Sequence, residues 1–167
     1  MIEFEQYFDL VRKGFEGVKN LGVRETENST MIREDVFKLY WMARVRFCSF
    51  VASADDLDVE LAQQFVSLNM RLARNERSKI GELIAVISVI ACDHVTDQVR
   101  ELAESRPPKH TTASEYLVVV DLSAHEAYYY RGPILYGILY EKFEREYIDG
   151  HFALPLRILS EKQKMNV

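Results

Sequence analysis

Long uncharged apolar runs are missing from this chain. No eighteen-residue stretch of that kind occurs, which argues against a membrane-spanning helix. Cysteine is scarce. Cys48 and Cys92 both sit inside apolar runs, where buried free thiols of a reducing compartment are expected. A bridge between them would need a geometry that the sequence does not supply. The seven glycines are scattered, and no glycine-rich phosphate loop can be built from them. The four histidines, His94, His110, His125 and His151, are too dispersed for a sequence-local zinc pattern, and C-x-x-C, H-x-x-x-H and E-x-x-H are all absent. Neither a metal nor a cofactor is therefore expected. Positive charge is in deficit overall: a net charge of -5 excludes a protein that coats nucleic acid with its whole surface, but leaves room for a local basic patch. The opening MIEFEQYFDL is acidic and amphipathic, unlike a signal peptide, so a cytoplasmic location is expected.

What is present is core material. Apolar residues make up 48% of the 167, enough for one domain. The dominant stretch is Ser78–Arg106. Ile80, Ile84, Ile87, Ala91, Val95, Val99 and Leu102 step by three or four along it, which predicts one long buried helix. A buried strand over Leu83–Cys92 is the competing reading, since the run is rich in β-branched residues. The helix is preferred because the stripe continues in phase through Asp93–Ser105, with no Gly or Pro near Cys92 to mark a turn.

The same periodicity predicts helices over 2–21, closed by Gly22, over 31–53, and over 56–75 behind Ser53 or Asp55 as N-cap. Polar 23–30 reads as a loop. After Pro107-Pro108 the composition changes. Tyr116–Leu122 and Ala127–Arg131 read as a β-hairpin, 134–147 as a helix capped by Gly150, and 152–158 as an edge strand holding Pro155. The expected fold is α+β and predominantly helical: a four-helix bundle around 78–106, then a hairpin, a fifth helix and a C-terminal edge strand. The expected division is 1–106 for the bundle, 107–160 for a small β-β-α-β element packed on it, and 161–167 for a tail.

For chemistry, Asp121 and Glu126 were weighed as the acid pair of restriction-type nucleases, but Tyr128 stands where that pattern needs a lysine. Asp93, Asp97, Glu101 and Glu104 share a helical face and read as a solvated acidic surface. Arg145 and His151 match the spacing of helical ribonucleases of the HEPN type. The resemblance covers that spacing alone, and with thirteen arginines and four histidines about one such match arises by chance.

Binding residues gather better. Arg71, Arg74, Arg77 and Lys79 collect at one junction, and Lys38, Arg44 and Arg46 lie on the preceding segment. Together they suit phosphate contacts on an otherwise acidic protein. Tyr128–Tyr130 could add stacking, although covering the seam with the following helix accounts for them equally. The expectation is therefore a non-catalytic binding or assembly subunit, with a protein partner or a second copy, and with single-stranded nucleic acid as candidate ligand. Small helical subunits of RNA-guided defence complexes are similar in size and charge pattern. The alternatives are a ribonuclease using Arg145 and His151, and a homodimeric regulator without nucleic acid.

Overall fold

The computed structural model describes residues 2–38, 43–76, 83–108, 110, 113–132 and 138–165. A sheet of six strands in chain order organises it: β1 (Leu21–Glu25), β2 (Thr30–Lys38), β3 (Ala43–Ser53), β4 (Leu83–Cys92), β5 (Ala113–Asp121) and β6 (Glu126–Tyr128). β1, β2 and β3 form an antiparallel meander; β3, β4 and β5 run parallel; β6 returns antiparallel. Helices cover both faces. α1 (Phe4–Lys13), α4 (Ile138–Ile148) and α5 (Leu154–Met165) contribute to the core on one side, α2 (Val59–Asn75) and α3 (Asp97–Glu104) to that on the other.

The predicted bundle is therefore corrected at its centre. Leu83–Cys92 is the middle strand of the sheet, not a helix. Five of its ten residues are β-branched, and it is flanked by parallel neighbours and covered on both faces. In this strand every position but Ser88 is apolar, so a helical stripe fits as readily as any other period. The polar half does form a helix, α3, which is why the phase seemed continuous. The turn between them needs neither Gly nor Pro. The Asp121 carboxylate accepts the Val95 N–H at 3.2 Å, and Thr96 caps α3 by accepting from Val99 N at 3.4 Å.

Two further helices are corrected. Residues 31–53 form the β2–β3 hairpin: Ile32, Glu34 and Val36 alternate with Met31, Arg33 and Asp35, and Phe47 with Cys48 and Arg46. In β3 that alternation puts Arg44 and Arg46 two apart, which a helical stripe misreads as interruptions. The proposed stripe residues Tyr40 and Trp41 lie outside the described residues. The first helix stops at Lys13, short of Leu21. Gly17 (φ 80) and Asn20 (φ 63) then turn the chain into β1 through left-handed conformations that Gly and Asn tolerate best. Gly22 lies inside β1 rather than capping a helix.

At the other end, the expected edge strand over 152–158 is helical. A π-helical turn, Asp149–Ala153, joins α4 to α5, so Gly150 ends nothing. Pro155 cannot donate to a carbonyl one turn back, and the widened turn falls at that point. With this strand gone, β5 and β6 of the expected β-β-α-β element extend the main sheet. Three expectations fit closely: the helix over 56–75, the hairpin, and most of the helix over 134–147. The N-cap of α2 is Asp58, whose carboxylate accepts Leu61 N at 2.7 Å, rather than Ser53 or Asp55.

Candidate nucleic-acid interface

Strand alternation and register gather arginines on one face of the meander. Arg33, Asp35 and Phe37 of β2 lie on the same face as Arg44 and Arg46 of β3, with Asp35 opposite Arg46 and Phe37 opposite Arg44. On β1, Arg24 stands opposite Met31 and joins that face. The C-terminal end of α2 arrives at the same corner and supplies Arg71, Arg74 and the cap residue Glu76.

Glu76 is the hub. Its two carboxylate oxygens bind Arg24 at 3.1 Å and Arg33 at 3.0 Å, and its backbone carbonyl accepts from the Arg46 guanidinium. Arg46 also grips Asp35 with two hydrogen bonds, at 2.6 and 3.0 Å. That pair holds the Asp35 carboxyl below its ordinary range, the Arg46 hydrogen bond being the main cause. Gly22 matters here: the Arg33 guanidinium lies over it, 3.6 Å from where a Cβ would stand. Among the described residues, Arg24 and Arg33 thus pair with Glu76 and Arg46 with Asp35, Arg44 stands beside them in the register, and Arg71 and Arg74 lie in the last turns of α2, so guanidiniums outnumber carboxylates here.

The residues expected from sequence divide sharply. Arg44, Arg71 and Arg74 are exposed; Arg44 stands in the β2–β3 register beside Arg46, and Arg71 and Arg74 lie in the last turns of α2, which ends at the corner. Arg46 is buried at 5% exposure and holds the corner together instead of facing a ligand. Lys38 is the last residue of β2, while Arg77 and Lys79 lie outside the described residues. Sequence reading missed Arg24 and Arg33, whose side chains are 56% and 38% exposed, Glu76, which binds both of them, and Asp35, which holds Arg46. Reading REDVFK as a strand would have placed Arg33, Asp35 and Phe37 on one face.

A second polar cluster lies on the opposite face, beneath α4. Tyr147 stacks on Phe47 with ring centroids 3.9 Å apart and brings its hydroxyl to Glu34 and Ser49. Glu34 Oε2, Ser49 Oγ and Tyr147 OH are each buried without a well-formed hydrogen bond. Burial drives the Tyr147 hydroxyl well above its usual pKa and raises Glu34 as well. One helical turn earlier, Glu144 is 1% exposed and accepts from the Ser114 hydroxyl. Burial pushes Glu144 up to about 7, against the lowering effect of Ser114 and Tyr116, and neighbouring Glu141 adds to the rise.

The ribonuclease pair sits differently from a catalytic dyad. The Arg145 guanidinium donates to the carbonyls of Arg131, Gly132 and Glu141, at 2.8, 3.4 and 3.3 Å. The His151 ring stacks on Phe15 at 4.1 Å and beside Tyr147 at 4.4 Å, and its Nδ1 is buried without a partner. Burial lowers the His151 pKa. No contact joins the two side chains among the described residues. Asp121 is structural: it accepts from Val95, Ser123 and Ala124 N–H groups and so fastens both β-ends, while Glu126 accepts from the Tyr128 hydroxyl. Tyr128 lies under Arg100 and Tyr129 is buried with its hydroxyl on Asp149, so neither presents a free stacking face. Among the described residues, no three His, Cys, Asp or Glu side chains are grouped to hold a metal ion, and no helix is long and apolar enough to cross a membrane. No model of a known family matches the chain, and no curated protein matches it.

Proposed function

We propose that the protein is a non-catalytic binding or assembly subunit that contacts the phosphates of a nucleic acid through the arginine corner. The observation carrying this reading is the surplus of guanidiniums held in order by Glu76. Arg24 and Arg33 are fixed by its carboxylate yet remain partly open to solvent. Planar guanidiniums with spare N–H donors match phosphate oxygens, and their prior ordering reduces the entropy lost on binding. The chain as a whole carries a net charge of -5, so a local cluster of arginines is where polyanion attraction can arise. The assembly role is part of this proposal: the layer of α1, α4 and α5 lies on the opposite side of the sheet from the corner and would be the side for a protein partner.

The test is binding of labelled oligonucleotides by fluorescence anisotropy between low and physiological salt. Affinity should fall steeply with salt, because each neutralised phosphate releases counterions. Arg71→Glu with Arg74→Glu should weaken binding at least tenfold and flatten the salt slope, while thermal unfolding stays unchanged because both side chains are exposed. Absence of any binding at low salt would remove the reading.

A further inference from the structure

The corner also carries an aromatic ring that the core does not use. Phe37 is 59% exposed, whereas Phe15, Phe47 and Phe50 are buried. It stands directly opposite Arg44 in the β2–β3 register, so ring and guanidinium share the face that bears Arg33 and Arg24. α2 packs over β4 and β5 and reaches the meander at its end, through Glu76. From the phosphate-contacting reading, on which this step rests, we propose that Phe37 is a stacking platform for an unpaired base, and that the ligand of this face is a single strand rather than a duplex.

An aromatic side chain can stack only on a base whose face is accessible. In a duplex those faces are covered by neighbouring pairs; in a single strand they are open. Arg44 beside the ring places a cation next to the stacked nucleotide. Arg33 lies four residues along β2, about 13 Å away at the usual strand rise, so the phosphates of the following nucleotides come within reach of Arg33 and then Arg24. The arrangement is an electropositive track with an aromatic step at one end, a combination that tolerates any base sequence.

The experiment compares four labelled probes of one length: single-stranded DNA, single-stranded RNA, the matching duplex, and a strand whose bases are replaced by abasic sites. The intact single strands should bind at least about tenfold tighter than the duplex and the abasic strand. Phe37→Ala should lower single-strand affinity by roughly 5- to 100-fold, down to the abasic level, without altering the salt slope. Phe37→Trp should restore it. Phe37 is exposed, so an unchanged melting temperature for both variants is the control. If the abasic strand or the duplex binds as well as the intact strand, or if Phe37→Ala has no effect, stacking is refuted while the phosphate corner stands, provided that Arg71→Glu with Arg74→Glu still weakens binding. If no probe binds at low salt, both readings fall together.

Discussion

Glu144 is the residue whose surroundings make the sharpest demand. It is a carboxyl group held almost wholly out of water, with hydroxyl partners and, among the described residues, no cation paired with it. Its pKa of about 7 lies above the ordinary 4.5, so between these values the folded state keeps a proton that the unfolded chain has lost. Stability must therefore fall as pH rises through that window, and level off above it. The contribution is on the order of 3 kcal/mol. Glu144→Gln keeps the shape and removes the titration. Thermal melts from pH 4.5 to 8 should show a flatter profile for the variant than for the parent, with the variant the more stable at pH 8. Asp35 has the opposite sign. Its carboxyl is held below its ordinary value by Arg46, so its contribution is present above pH 3.8 and is lost as pH falls through the lowered value. Asp35→Asn leaves the buried Arg46 charge without its carboxylate and should cost about 3 kcal/mol at neutral pH, read as a shift in urea midpoint. The two cysteines make no such demand: burial raises Cys48 to about 12 and Cys92 to about 11, so both are inert thiols.

At the scale of elements, legibility followed exposure. α2 was readable because one face meets solvent and the other the core; its buried positions Ala62, Phe65, Asn69 and Ala73 step by three or four. Its cap was less readable, since four candidate acids or hydroxyls precede it and only geometry selects Asp58. Asp58→Ala should cost about 1 kcal/mol, while the same change at Asp55 should cost nearly nothing, as parallel melts would report. The hairpin of β5 and β6 was readable for the same reason as α2: a short polar turn separates two β-branched or aromatic runs. β4 was not. A strand enclosed on both faces has no alternation to display, so the period that identifies it is erased by its own burial. The hairpin over 31–53 is hidden in the same way, because its apolar residues also fall at helical spacing. The binding corner depends on that hairpin: strand alternation puts Arg33 beside Asp35 and Arg46 and buries Arg46, a grouping that a helical period does not display.

For the whole molecule, burial grades outward from β4. Its amides are paired on both sides and lie under two helical layers, whereas β1 pairs with β2 alone. Hydrogen exchange should be slowest over 84–91 and fastest among the strands at 21–25, approaching global unfolding only in the former. Fast exchange throughout 84–91 would contradict the central placement. The proposed binding face sits at the faster-exchanging side, beside β1, where a ligand that bridges Arg24 to β2 and β3 would slow exchange measurably.

Strand order and chain order coincide in this sheet, and that has a kinetic meaning. Each strand is laid beside the one just before it, so the sheet can grow by successive addition without waiting for distant sequence. The joints to the C-terminal helices escape that rule, and the longest hydrogen-bonded reach among the described residues belongs to α1: the Tyr7 hydroxyl donates to the Phe152 carbonyl at 3.0 Å, across 145 residues. The first helix is thus the last to be locked, and it remains a loose latch until the far end of the polypeptide comes round to close it.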